Sequence, residues 1–255
     1  MTTLLAGLGD ARLVRTPAFD DLAAAADFVV PRSEILVIEG DGGVGKTVLT
    51  DEFASRQTLP VSIVELPPRQ SSRDMVRWIH AAVSADNDSD ELTERDIQDD
   101  LTRILSAPRI VIIRNAHRFS IEAAGQVEWL HSHRATSFSL IIEGGKGTVN
   151  AVEREALLRG RIASTIKVQP LQGRHLLDAL QNMHEMFLGA DSDLLIEIDT
   201  RVCHGVLRHW SRFLQVAVHL RDRAIANGKE APVLDRTFAK AVLAFLPGTM
   251  TKKRS

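Results

Sequence analysis

The chain has 255 residues, of which 44% are hydrophobic and 25% charged. This composition excludes a disordered chain and indicates a globular protein with one large domain, or a large domain and a small satellite. A single cysteine, Cys203, rules out an intramolecular disulfide, and no apolar run approaches the length of a membrane span, so we expect a protein of the reducing cytoplasm.

The first predicted element is a helix over Pro17–Val29. After it, short β-branched runs alternate with amphipathic stretches, which is typical of a parallel sheet with helices on its faces. The predicted strands are Ile35–Ile38, Val61–Val64, Ile110–Ile113, Leu140–Ile142 and Ile162–Val168. The predicted helices between them are Val48–Arg56, Arg73–Val83, Leu92–Leu105, Ile121–His133 and Val149–Leu158.

The pattern changes near Pro170, after which the sequence predicts helices only. They are His175–Leu188, Asp193–Thr200, Val206–Asn227 and Leu234–Phe245. We therefore predict three segments: an N-terminal segment with a helix (1–34), an α/β domain (35–171) and a helical domain with a basic tail (172–255).

Charge is unevenly distributed along the chain. Residues 201–255 carry 11 Lys and Arg against 3 Asp and Glu, whereas residues 1–200 carry 20 against 30. A basic end on an acidic body indicates a polyanion or an acidic protein surface as partner, or else a solvated helical face.

Residues 40–47, GDGGVGKT, match the pattern G-x-x-x-x-G-K-[ST] between a predicted strand and a predicted helix. Glycines allow positive φ and leave no Cβ to keep a phosphate away from the backbone N–H groups. Lys46 would bridge the β- and γ-phosphates of a nucleotide, and the Thr47 hydroxyl would ligate Mg²⁺. The alternative is a glycine-rich turn that binds nothing. The candidate phosphate-binding residues are Gly40, Gly42, Gly43, Val44, Gly45, Lys46, Thr47 and Val48.

A strand ending in Asp, often followed by Glu, usually accompanies such a loop and serves Mg²⁺ and the attacking water. The best candidate, RIVIIRNAHRF (Arg109–Phe119), has Arg114 and Asn115 at those two positions. A unit charge at ~5 Å from a divalent ion is worth about 6–7 kcal/mol at an effective dielectric constant of ~20. Arg114 must therefore turn away from the metal, or displace it and meet the phosphates itself. Asn115 can orient a water but cannot take its proton, so we predict nucleotide binding with slow or absent hydrolysis.

Two alternatives concern the missing acid. In the first, Arg114 and Asn115 merely begin a surface loop and the acids lie elsewhere. In the second, Glu143 supplies the carboxylate, because it ends the predicted strand in SLIIEGG (Ser139–Gly145). This requires that strand to lie between the strands of Ile35 and Ile110.

Together these motifs resemble those of AAA+ ATPases, and within that class the transposon-encoded target-selection ATPases of the MuB, TniB and TnsC kind. The matching stretches cover most of residues 35–171, and they are VIEGDGGVGKTVLTDEFA, LPVSIVELPPRQSSRDMVRWI, RIVIIRNAHRFSIEAAGQVEWLH, SLIIEGGKG and LLRGRIASTIKVQPL, with CHGVLRHW beyond them. The resemblance implies a P-loop NTPase fold, in which a parallel five-stranded sheet with flanking helices is followed by a small all-α lid domain.

The resemblance also implies residue roles and partners. Arg161, with Arg159 as the alternative, matches the arginine finger that reaches a neighbouring subunit's nucleotide. Arg208 matches the lid arginine that senses nucleotide in its own chain. Either arginine could instead be an ordinary surface residue. The implied cofactors are ATP and Mg²⁺, and the implied partners are further copies of the chain in a ring or filament, non-specific double-stranded DNA, and a transposase or recombinase.

Two other functions remain open at this point. One is a catalytically inert nucleotide-binding scaffold that acts through protein partners without DNA. The other is a small-molecule P-loop kinase, which the arginine-bearing helical domain disfavours because that domain is not a phosphate-acceptor pocket.

Overall fold

A computed structural model describes residues 11–67, 71–84 and 92–246, without the side chains of residues 72 and 73. Within these ranges the chain forms two compact units. The sheet unit consists of described residues in 18–42 and 46–168, and the helical unit consists of residues 11–17, 43–45 and 169–246. The end of the predicted basic tail, TKKRS, lies outside the described residues. No helix in the described ranges has both the length and the apolarity to cross a bilayer.

The sheet unit contains five parallel strands. They are β1 (Ile35–Gly40), β2 (Val61–Glu65), β3 (Arg109–Arg114), β4 (Phe138–Gly144) and β5 (Ile162–Val168), in the order β2-β3-β4-β1-β5. The three central strands are almost completely buried, whereas buried and more exposed residues alternate along most of β2 and β5. This difference follows from position, since central strands are covered on both faces. The predicted five-stranded parallel sheet is confirmed.

Seven α-helices accompany the described part of this sheet. They are α1 (Pro17–Val29), α2 (Lys46–Ser55), α3 (Ser72–Val83), α4 (Glu94–Ile104), α5 (Ile121–Ser132), α6 (Thr148–Glu153) and α7 (Ala156–Arg159). Short 3₁₀ segments follow α1 and β3, at Val30–Arg32 and Ala116–Arg118. The α3 and α4 helices begin at capping boxes, in which Ser71 pairs with Asp74 and Thr93 with Asp96.

The helical unit has its own hydrophobic core. It contains α8 (Gly173–Met183), α9 (Ser192–Ile198), α10 (Leu207–Ala226) and α11 (Arg236–Phe245), with a 3₁₀ segment at Glu185–Phe187 and a π-turn at Asp199–Cys203. Trp210 is fully buried at its centre, edge-on to Phe187 and Phe213, and donates its indole N–H to Asp199 across 2.9 Å. Cys203 is buried, as expected of a small filler, and burial raises the pKa of its thiol.

Two helix predictions were wrong for the same physical reason. The single helix predicted over Val149–Leu158 is split into α6 and α7, and Glu155 between them is extended and accepts a hydrogen bond from the Leu157 N–H. The helix predicted over His175–Leu188 ends at Met183, where His184 is extended and accepts from the Met186 N–H. In both places a side chain caps the next turn and ends the preceding one.

Candidate nucleotide-binding site

The glycine-rich loop joins the end of β1 to the start of α2, at Lys46. Gly43 and Gly45 have φ values of 88° and 101°, which residues with a Cβ rarely adopt. The Lys46 ammonium donates to the carbonyl oxygens of Gly40 and Asp41, each at 2.8 Å. The backbone N–H groups at the beginning of α2, together with the helix dipole, favour an anion at this end of the helix. The loop therefore has the backbone conformation and the cation that a phosphate site requires.

Two threonines in the first two turns of α2 bind a carboxylate that belongs to strand β4. Thr47 donates its hydroxyl proton to Glu143 Oε1 across 3.0 Å, and Thr50 donates to Glu143 Oε2 across 2.6 Å. Glu143 belongs to β4 and is only 3% exposed. Strand order explains the contact, because β4 lies between β3 and β1 and pairs Glu143 with Ile38, two residues before Gly40. The hypothesis for Glu143 required its strand to lie between the strands of Ile35 and Ile110, and the observed strand order has this arrangement.

Arg114 ends β3 and lies among three carboxylates. Its Nη2 contacts Asp51 Oδ1 at 2.5 Å, its Nη1 lies 3.6 Å from Glu65 Oε1, and its Nε lies 3.4 Å from Glu143 Oε2. Nη2 also donates to the Thr50 hydroxyl at 3.0 Å. The side chain is 8% exposed, so the carboxylates hold a buried cation inside the sheet unit. Arg114 is therefore not the beginning of a surface loop.

Asn115 has left-handed backbone angles, φ 61° and ψ 27°, which asparagine tolerates better than most residues. Its Nδ2 donates to the carbonyl of Leu66, just beyond the end of β2, at 3.5 Å. The next 3₁₀ turn places His117 against the end of β4, where Nδ1 accepts from the Gly145 N–H at 3.1 Å. Burial lowers the pKa of His117, and the charges of Arg118 and Lys46 lower it further. All three effects favour the neutral form of His117.

The two predicted arginines lie in different units. Arg161, just before β5, is 43% exposed, and its Nε lies 3.9 Å from Glu128 of α5. The neighbouring Arg159 ends α7 and is also exposed. In the helical unit, the Arg208 N–H donates to the Gly43 carbonyl at 3.0 Å. A Cβ at Gly43 would come within 2.8 Å of the Arg208 Cβ, so close approach as well as positive φ requires glycine there.

The structure brings together some of the predicted site residues and separates others. Thr47 and Glu143 are in direct contact, Lys46 is hydrogen-bonded to Gly40, and Gly43 is hydrogen-bonded to Arg208. Asn115 and Arg161 instead pair with Leu66 and Glu128. The remaining predicted loop residues, Gly42, Val44, Gly45 and Val48, lie in the loop or the first turn of α2. The sequence reasoning missed Thr50 and Asp51, although Thr50 lies one helical turn beyond Thr47 and on the same face.

The residues around Thr47 fit a magnesium ion that a nucleotide would bring. A hydroxyl that donates its proton to a carboxylate keeps its lone pairs for a cation, and Thr47 does this toward Glu143. Magnesium typically needs few protein ligands when phosphates and waters supply the rest. The described residues contain no group of three or more His, Cys, Asp or Glu that could hold a metal by themselves.

Comparison with known proteins agrees with this geometry. A family model described as an AAA domain matches residues 32–148, which include the P-loop, β3 and β4. The chain has the P-loop AAA fold, a fold that implies nucleotide binding. A search of curated protein sequences finds no match.

Solved structures with this fold match nearly the whole chain at low identity. The ORC2 protein of Aeropyrum pernix, in ADPNP and ADP complexes, is 14% identical with a TM-score of 0.67, over 95% of this chain and 71% of that one. The ORC1 protein of the same organism, in complex with DNA, is 16% identical with a TM-score of 0.63, over 94% and 68%. The RuvB Holliday junction branch migration motor of Thermotoga maritima is 14% identical with a TM-score of 0.59, over 90% and 68%. The similarity therefore extends to the helices that follow the AAA sheet.

Proposed function

We propose that this chain is an ATP-binding AAA+ regulator that self-associates when nucleotide is bound, assembles on double-stranded DNA, and recruits or regulates a transposase or recombinase. The observation that carries the nucleotide part is the contact between Thr47 and Glu143, which joins the P-loop helix to a buried carboxylate. That contact supports a working triphosphate site even though the acid expected at the end of β3 is Arg114.

The proposed residue roles follow from chemistry. Lys46 and the loop N–H groups hold the phosphates, Thr47 holds Mg²⁺, and Glu143 orients the Thr47 hydroxyl. When bound, magnesium would neutralise phosphate charge. Hydrolysis is slow because Asn115 cannot accept a proton from water, and because Glu143 is already occupied by two hydroxyls and Arg114.

Self-association is supported by the exposure of Arg161 and by the chemistry of guanidinium groups. A planar, permanently charged group that is 43% exposed can reach the phosphates of a neighbouring copy, and this would couple nucleotide binding to assembly. Arg208 would sense the nucleotide within its own chain, since its backbone is hydrogen-bonded to the loop residue Gly43. The DNA part of the proposal rests on the ORC1 complex with DNA and the RuvB branch migration motor, and on the basic C-terminal region.

One experiment separates this function from its main competitor. Binding of the full chain to fluorescent duplex DNA would be measured with and without ATP, at about 50 mM and about 200 mM salt, where phosphate contacts predict a loss of affinity of tenfold or more. ATP-dependent, salt-sensitive binding, with rings or filaments in electron micrographs, is the expected result. ATP binding without DNA binding at either salt concentration would reject the DNA role.

That rejecting outcome is the one expected of an inert nucleotide-binding scaffold, which is our second candidate. A specific observation favours it: both positions that usually carry acids are held in other contacts, Arg114 among carboxylates and Asn115 against Leu66. The transposase or recombinase partner would then be replaced by a protein partner that recognises the nucleotide-bound form.

A further inference from the structure

Glu143 has a positively charged side chain beside it, unlike an acid whose only counter-charge is a bound metal ion. Glu143 Oε1 accepts from Thr47, and Oε2 accepts from Thr50 at 2.6 Å and lies 3.4 Å from Arg114 Nε as an ion pair without a hydrogen bond. Glu143 and Arg114 are both nearly inaccessible to water, with 4% and 8% of their side chains exposed. A buried carboxylate with a cation at this distance has most of its field cancelled locally.

The other two acids near Arg114 are in a different environment. Asp51 and Glu65 also pair with the guanidinium, but 44% and 68% of their side chains are exposed. Water and salt screen such charges, so they act weakly on groups beyond Arg114. The buried charges next to Thr47 are therefore Glu143 and its counter-ion Arg114, and Lys46 precedes Thr47 in the chain.

We propose that Arg114 is a resident cation that allows this site to bind a nucleoside triphosphate without a divalent metal ion. At an ordinary P-loop, Mg²⁺ is held by the loop hydroxyl and an acid, and it neutralises charge on the phosphates. Here the acid is already paired, and Lys46 remains as a cation at the loop. Thr47 still admits Mg²⁺, but the metal is optional for binding. This inference rests on the proposed nucleotide binding, and it adds that the affinity for the nucleotide does not depend on a divalent metal ion.

The experiment is a titration of the full-length protein with a fluorescent ATP analogue, in excess Mg²⁺ and in excess EDTA. We expect the dissociation constant to differ less than about tenfold between the two conditions, or about 1.4 kcal/mol. A loss of tenfold or more in EDTA overturns the inference while leaving nucleotide binding intact. Failure to bind in either condition overturns both the inference and the proposed function.

Variants test whether Arg114 is responsible. Arg114→Gln removes the charge and keeps hydrogen-bond donors, and should make binding depend on Mg²⁺ by more than tenfold. Arg134→Gln, at an exposed arginine of the sheet unit, is the matched control and should behave as wild type. If Arg114→Gln does not fold, Glu143→Gln serves instead. Because that change removes the acid itself, affinity in EDTA should equal or exceed that of wild type, and a tenfold weaker affinity in EDTA would contradict the inference.

Discussion

The Thr47 hydroxyl and Glu143 Oε1 are 3.0 Å apart, and this hydrogen bond connects the first turn of α2 to the end of β4. The sequence pattern would place an acid that serves Mg²⁺ at the end of β3. Here the carboxylate comes from the neighbouring strand β4, as Glu143, and the end of β3 holds its counter-ion, Arg114. The exchange keeps a carboxylate at the hydroxyl while changing the charge of the strand that usually supplies it.

Breaking this ion pair should destabilise the protein strongly. Arg114→Met leaves Glu143 buried without its cation, and we expect a loss of about 3–5 kcal/mol in the free energy of unfolding. Arg114→Met/Glu143→Leu should lose less than the sum of the single changes, with a coupling of at least about 1 kcal/mol in urea unfolding. The more exposed pair Arg236–Glu197, with N···O 2.8 Å, is the control and should couple by less than about 1 kcal/mol. Equal coupling in the two pairs would contradict the buried role of Arg114.

Lys46→Ala should abolish triphosphate binding without unfolding the chain. Charge-assisted contacts to phosphate oxygens are strong, and we expect a loss of affinity of about a hundredfold or more, near 2.7 kcal/mol. Lys46 donates to the carbonyl oxygens of Gly40 and Asp41, and urea unfolding of the variant measures whether the fold is retained. Lys240→Ala, at an exposed lysine of α11, is the control. Undiminished ATP affinity in Lys46→Ala, measured by fluorescence titration, would reject the proposed site.

Much of the fold was predictable because its signals are local. The β1 residues Ile35–Ile38 form a continuous apolar run that is buried in full, and the glycine pattern places the loop between β1 and α2. The breaks at Glu155 and His184 were not predicted, because a capping side chain competes there with an otherwise helical pattern.

The site was predictable only in part, because its central contacts depend on strand order. Sequence shows that Arg114 replaces an acid, but not that β4 lies beside β3 and brings Glu143 to the guanidinium. Asp51, one turn into α2, has no motif that marks it as a partner of Arg114. Contacts between residues far apart in the chain require the topology of the sheet first.

Lowering the pH should lower the free energy of unfolding through the protonation of His131. Burial, with a smaller contribution from the charge of Arg161, lowers the pKa of His131 to about 4. The unfolded chain then binds more protons than the folded one between pH 4 and about 6.5, so stability falls as pH decreases through that range. Between about pH 7.5 and about pH 5 the free energy of unfolding should fall by about 2 kcal/mol.

The measurement for His131 is urea unfolding at those two pH values. His131→Leu should show a smaller pH dependence by about the same 2 kcal/mol, since leucine does not titrate. His175→Leu, at an exposed histidine of α8, should retain the dependence of the wild type. An identical pH dependence in His131→Leu and wild type would mean that His131 is not the group responsible.

Two glycines of the sheet unit should respond to alanine in opposite directions. A Cβ at Gly144, at the end of β4, would come within 2.7 Å of the His117 backbone nitrogen and 3.1 Å of that of Ala116. Backbone cannot move aside cheaply, so Gly144→Ala should lower the free energy of unfolding by about 1–3 kcal/mol. A Cβ at Gly125, inside α5, would meet nothing within 4 Å, and Gly125→Ala should raise it by roughly 0.5–1 kcal/mol because alanine favours the helix. Urea midpoints of both variants test this, and an unchanged or raised midpoint in Gly144→Ala would show that the end of β4 tolerates a side chain that this packing excludes.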